Sequence, residues 1–197
     1  MIKINAKRLR DVVAEAVRPG VPGHIFDSAA VFLLLFEQNG PHVLAILKAD
    51  TEGYPWRNQV ALPGGHVDKI DTGPKAAAYR ELKEEMNIPA GQVDFIGSLG
   101  HFQTINRKDV EVFLGLWDGK GPVDYARQEI ARVLEIPLAH LVETHAAAGF
   151  HGRQPGVDRL IYPFEDVQVW GLTAKIFHFF IELIHPLWRS QIKGRVE

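Results

Sequence analysis

Three carboxylates, Glu81, Glu84 and Glu85, lie within five residues of one predicted helix. Spacings of three, four and one bring them to one side of it. Such a cluster repels itself unless a cation sits among the oxygens. Hard divalent ions such as Mg2+ or Mn2+ take oxygen ligands and commonly share them with a substrate phosphate. The pattern therefore points to metal-assisted chemistry on a phosphate compound. The competing reading is a solvated acidic face laced by weak ion pairs to Arg80 and Lys83.

The residues around the cluster favour the first reading. At about 100° per residue, Ala76, Tyr79, Leu82 and Met86 form an apolar stripe roughly opposite the carboxylates. That stripe can dock on a sheet while the acids face a cleft. Ala77 and Ala78 fall near the acidic side. Asp71 and Thr72 are candidate N-caps, and Pro74 suits the first turn. Asn87 accepts the left-handed conformation that ends a helix, and Pro89 blocks continuation. Ahead of the helix, Pro63-Gly64-Gly65 allows a sharp turn that offers peptide groups to a ligand.

This segment resembles the Nudix box, G-x5-E-x7-R-E-U-x-E-E-x-G-U with U aliphatic. Gly65 fills the first glycine, residues 80–85 (Arg-Glu-Leu-Lys-Glu-Glu) the core, and Ile88 the last U. Asp71 stands where Glu is expected, eight residues rather than seven separate it from Arg80, and Asn87 replaces the final Gly. The lengthened run, with Pro63-Gly64-Gly65-His66-Val67-Asp68 before it, is similar to the coenzyme A diphosphatase subgroup. The stretches at 59–62, 129–138 and 170–174 resemble that subgroup too. Its coenzyme A motif is altered here. Lys48 is nearest to the first Arg, Tyr54 falls at the second with Arg57 close by, and Asn58 and Leu62 replace Gly and Phe. Arg and Lys are not equivalent at a bidentate phosphate contact.

The resemblance implies an α/β/α sandwich with a mixed sheet. It also implies a Mg2+- or Mn2+-dependent hydrolase that splits the phosphoanhydride of a nucleoside diphosphate-linked compound. Coenzyme A derivatives lead; ADP-ribose, nucleotide sugars and dinucleotides follow. A ligand-sensing domain without turnover is the alternative of another class. Glu81 and Glu85 are the first choices for metal ligands, with Glu84 close behind and the Gly65 carbonyl added. Arg80 orients a neighbouring Glu. Glu129, in a loop, is either a general base or an ordinary surface residue. Lys48, Tyr54, Arg57 and His66 are the substrate-binding candidates. Lys108, Trp56 and Phe102 are weaker ones, and Trp170 reads as core.

Composition bounds the remainder. The chain has 197 residues, 46% of them hydrophobic, a formal net charge of −2 and no cysteine. One sizeable core is expected, with no electrostatic footprint for nucleic acid and no thiol chemistry. The N-terminus lacks the apolar core of a secretory leader, so the cytoplasm is expected. Residues 172–188, rich in Phe and Ile but interrupted by charge, are too short for a membrane span and suit a buried or homodimer-facing helix. The nine His residues show no zinc-type helical spacing.

The expected layout is an N-terminal helix and linker over 1–23, then one domain over 24–197. In the first part a helix covers 5–17. In the domain, a hairpin of strands 29–36 and 42–48 turns at Gln38-Asn39-Gly40. Further strands lie at 60–62, 93–99, 110–116 and 160–162, with helices at 138–148 and 172–184. Mixed strands with helices before, between and after give the layered α/β class.

Overall fold

The computed structural model describes residues 5–21, 26–52, 56–121 and 123–193, without the side chains of 188–193. The elements run α1 (Ala6–Glu15), β1 (Asp27–Glu37), β2 (Pro41–Lys48), β3 (Val60–Ala61), β4 (Gly64–His66), α2 (Pro74–Met86), β5 (Val93–Gln103), β6 (Lys108–Trp117), β7 (Ile130–Pro137), α3 (Leu138–Ala147), β8 (Tyr162–Phe164), β9 (Val167–Val169) and α4 (Gly171–Lys193).

Strand β1 organises the molecule. It pairs in parallel with β6 along one edge and antiparallel with β2 and β4 along the other. The sheet is therefore mixed. Alternate residues of β1 enter opposite cores. Ala29, Leu33 and Leu35 join the larger one, beneath α1, α3 and α4. Ala30, Phe32, Leu34 and Phe36 join the smaller one, beneath α2. A strand buried on both faces reads as the unbroken apolar run of residues 30–36. The result is the expected three-layered α/β/α sandwich.

The splay of β1 from β2 sets up the site. The two strands pair from Leu34–Leu44 to Glu37–Pro41. Before Leu34 they part, and the chain from Val60 to His66 fills the gap. There β3 pairs with β2 and β4 pairs with β1, and Phe32 N–H donates to the Pro63 carbonyl at 2.9 Å. The Gly-Gly turn is thus wedged into the sheet.

Several expectations need correction. Gly64–His66 is a short strand, which a Gly-Gly-His sequence does not announce. Ile130–Pro137 is a full strand on the outer edge of β2, and β8 and β9 form a separate hairpin over 162–169. The buried side of α2 is rotated from the expected stripe: Ala77, Ala78, Leu82, Glu85 and Met86 are covered, while Tyr79 is half-buried. The N-cap of α2 is Gly73, with no side-chain cap bond. Pro74 at N1 and left-handed Asn87 at the C-cap match expectation. Trp170 is not core but 51% exposed. Phe102 is core, edge-on to Phe179 at 5.6 Å. The C-terminal helix takes the buried alternative expected for it, with Phe177 and Phe180 fully covered. Leu9 and Val13 of α1 are buried in the larger core. Among the described residues, no helix is long and apolar enough to cross a membrane.

Candidate functional site

The site lies where β4 meets α2. Gly64 N–H donates to Glu85 Oε2 at 2.9 Å, and Lys48 Nζ, from β2, donates to Glu85 Oε1 at 2.6 Å. The side chains of Lys48 and Glu85 are only 9% and 5% exposed. Burial pushes the Glu85 carboxyl above the ordinary carboxylate range. Lys48 and the Gly64 N–H pull against that rise, and the charge of Glu81 adds to it.

The glycine pair is fixed by its surroundings. A Cβ on Gly64, whose φ is +144°, stands 2.2 Å from the Ala30 carbonyl oxygen. A Cβ on Gly65 stands 2.5 Å from the Glu81 carboxylate. No side chain fits at either position without displacing a neighbour, and the Glu81 carboxylate closes over Gly65 on the side where a Cβ would stand.

Arg80 is the connecting cation. Its Nε and Nη2 donate to the two oxygens of Asp71 at 3.1 and 2.9 Å. Its Nη1 donates to Glu81 Oε1 at 2.9 Å and Glu84 Oε2 at 3.0 Å. Nη2 also reaches the His66 carbonyl at 3.1 Å. Hydrogen bonding to Asp71, first, and to Glu81 and Glu84 raises the guanidinium pKa against a desolvation cost. Asp71, expected as an N-cap, is instead an anchor for Arg80, and the same bond holds its carboxyl below the ordinary range.

The three acids do not converge as one triad. Glu85 is buried, Glu81 is half-buried, and Glu84 is 59% exposed on its side chain. Among the described residues, they are not a group whose ligand oxygens all stand within 4.8 Å of one another. Lys48 pairs with Glu85, and Arg80 pairs with Glu81 and Glu84. The donor set nevertheless fits a hard divalent ion. It is all oxygen, it adjoins the glycine that the Glu81 carboxylate faces, and burial raises the Glu85 pKa despite its pairing with Lys48.

The other candidates divide. His66 is exposed, and Lys108 Nζ donates to its Nε2. That ammonium also lies 5.3 Å from the ring centre of Trp56, so Lys108 joins His66 to Trp56, and the His66 carbonyl is held by Arg80. Arg57 is exposed and pairs with Asp50 at 3.7 Å. Tyr54 lies outside the described residues. Glu129 is exposed in the turn before β7. That turn is tied to the site by backbone bonds, Ala49 N–H to the Glu129 carbonyl at 2.8 Å and Ala126 N–H to the Glu85 carbonyl at 3.1 Å. Sequence reasoning did not see the Lys48–Glu85 pair, since 37 residues separate its members.

A family model described as the NUDIX domain matches residues 27–157. The chain belongs to the Nudix family. Two curated relatives are each described as an uncharacterized Nudix hydrolase, NudL. The one from Escherichia coli O7:K1 is 36% identical over 121 residues, covering 60% of this Nudix chain. That match spans only 62% of the relative's own length. The one from Yersinia pestis is 30% identical over 150 residues, 75% of each chain. A MutT/nudix family protein from Enterococcus faecalis has the same fold, with TM-score 0.53, 16% identity and coverage of 94% of this chain and 76% of its own.

Proposed function

We propose that this Nudix protein hydrolyses the phosphoanhydride of a nucleoside diphosphate-linked compound with Mg2+ or Mn2+. The observation that carries the reading is the closure of Glu81 over Gly65 beside buried, cation-paired Glu85. A hard divalent ion held there would neutralise phosphate charge and lower the pKa of a bound water.

The chain's own parts have separable roles. Glu81, Glu85 and the Gly65 carbonyl would hold the ion, with Glu84 joining from the rim. Lys48 pairs with Glu85 in a covered position and favours its ionised form against the cost of burial. Arg80 orients Glu81 and Glu84 by charge-assisted hydrogen bonds and is itself set by Asp71. His66 and Lys108 offer donors for the substrate's phosphates, and Trp56 a face for stacking. Arg57 and Tyr54 remain substrate-side candidates. Glu129 supplies a carboxylate from outside the helix as general base.

Coenzyme A or a derivative is the leading substrate, on the resemblance of the lengthened box and its flanks to coenzyme A diphosphatases. ADP-ribose, nucleotide sugars and dinucleotides follow, because the altered motif around Lys48 and Arg57 changes the phosphate contacts. Incubation with Mg2+ or Mn2+ and a panel of these four classes, with products separated by chromatography, tests the reading. Hydrolysis of coenzyme A at the diphosphate is expected. Binding of a panel member without product from any of them overturns the enzyme in favour of a ligand sensor. Unchanged kcat in Glu129→Gln removes that residue from the mechanism.

A further inference from the structure

A second chemically distinct cluster lies on the opposite layer, between the end of α3 and the middle of α4. His145 Nε2 and His151 Nδ1 both meet Glu182 Oε1, at 2.9 and 2.8 Å. The three ligand atoms stand within 4.8 Å of one another. We propose that His145, His151 and Glu182 form a binding site for a zinc-class transition-metal ion, separate from the oxygen-donor site on α2.

The donor chemistry selects the ion. Two imidazoles and one carboxylate are a ligand set of zinc sites, whereas Mg2+ and Ca2+ prefer oxygen alone. The acids on α2 offer only oxygen, so the two clusters are sorted for different cations.

The outer contacts have the form that a ligand set requires. Tyr162 Oη lies 2.9 Å from His145 Nδ1 and fixes the ring, so Nε2 is the atom turned to Glu182. Gly152 N–H donates to Glu182 Oε2 at 2.9 Å, which leaves Oε1 for the cluster. Phe150 stands edge-on to His145 at 5.7 Å, and His185 stacks on His151 at 3.6 Å. His145 is buried, while the side chain of His151 is 44% exposed and gives an entry side. His178, one turn before Glu182, lies 5.0 Å from His145 ring to ring. Its Nε2 is buried without a hydrogen-bond partner, which leaves a further imidazole nitrogen in the neighbourhood.

The two imidazole–carboxylate spacings need only a small adjustment, and the two imidazole nitrogens lie within 4.8 Å of each other. Ligand atoms around four-coordinate zinc stand about 3.3 Å apart, given bonds of roughly 2.0–2.1 Å. The observed 2.8 and 2.9 Å require an outward shift of about half an ångström. His145 then carries its proton on Nδ1 and donates it to Tyr162. No local sequence spacing marks the site, because Glu182 reaches it only through the docking of α4 on α3.

The test uses the full chain, stripped by chelator and returned to excess Mg2+. Zn2+ is titrated in competition with a chromophoric chelator, and Co2+ is added separately for its visible spectrum. One equivalent of zinc is expected at micromolar affinity or tighter. Co2+ should show the strong absorption of a low-coordinate nitrogen-containing site. His151→Ala, a half-exposed position, and Glu182→Gln should each weaken zinc binding at least about tenfold. His151→Ala should also abolish the zinc-induced rise in Tm while retaining its far-ultraviolet circular dichroism. Equal zinc affinity in wild type and His151→Ala overturns the proposal. So does a Co2+ spectrum showing only weak six-coordinate bands, which leaves the cluster as a hydrogen-bonded tie between α3 and α4.

Discussion

Lys48 Nζ stands 2.6 Å from Glu85 Oε1, and neither side chain is appreciably exposed. A buried pair of this kind contributes little net stability, but losing one partner leaves an uncompensated charge. Lys48→Met should cost about 3 kcal/mol, or roughly 6–12 °C in Tm for a chain of this size. Glu85 then meets its burial cost by holding a proton to higher pH, so the acid limb of the activity profile moves upward. The double variant Lys48→Met/Glu85→Met should regain stability and remain inactive. A Lys48→Met protein melting with the wild type contradicts the pairing.

Neighbouring glycines predict opposite outcomes. In Gly65→Ala the new methyl group meets the far end of a flexible side chain, Glu81. The protein should fold with nearly unchanged Tm, while displacement of Glu81 lowers kcat by about 100-fold, the scale of a 1 Å misplacement. In Gly64→Ala the methyl group meets the Ala30 backbone at a positive φ, and the variant should fail to accumulate as folded protein. Thermal melting and kinetics on the pair separate the effects. Full activity in Gly65→Ala removes Glu81 from its assigned place.

How far these features were legible depends on whether the signal is local. The β1–β2 hairpin was readable because Gln38-Asn39-Gly40 interrupts two apolar runs, and Asn39 does take positive φ. Helix α2 was readable through Pro74 and Asn87. Its rotation was not, because two small alanines carry no periodic signal, yet Ala77 and Ala78 are what allow close approach to β1. Strand β7 was missed because Arg132 and Val133 are both half-buried and break the alternation. Glu85 looked like its two neighbours. Only the arrival of Lys48 and Gly64 from other strands makes it the buried member. The His145–Glu182 contact is equally non-local.

Arg80 makes its contacts through three different nitrogens, which a lysine has no means to reproduce. Arg80→Lys keeps the charge but cannot hold both oxygens of Asp71 while reaching Glu81 and Glu84. We expect kcat to fall by about 10–100-fold with helix content preserved, through loss of carboxylate orientation. Acid stability supplies a second readout. Asp71 has a folded pKa below its ordinary 3.8, so it contributes stability present above that value and lost as pH falls through the lowered one. Removing the guanidinium abolishes that contribution, and the acid-unfolding midpoint should move to higher pH. An unchanged midpoint shows that the Arg80–Asp71 bond is not what lowers it.

Metal removal should act through Glu85 with the opposite sign. Its folded pKa is raised above the ordinary 4.5. The stability this group contributes is fully present below 4.5 and lost as pH rises through the folded value. A divalent ion favours the ionised carboxylate and opposes that loss. The Tm difference between Mg2+-saturated and chelator-treated protein should therefore widen with rising pH across this window. At a Mg2+ concentration 100 times Kd the stabilisation should reach about 2.7 kcal/mol. Glu85→Gln has no charge to relieve, so its Mg2+ response should be smaller and flat with pH. Melting curves in matched Mg2+ and chelator buffers measure this directly. A Mg2+ shift of equal size at every pH, or one retained in Glu85→Gln, places the ion elsewhere than on this carboxylate.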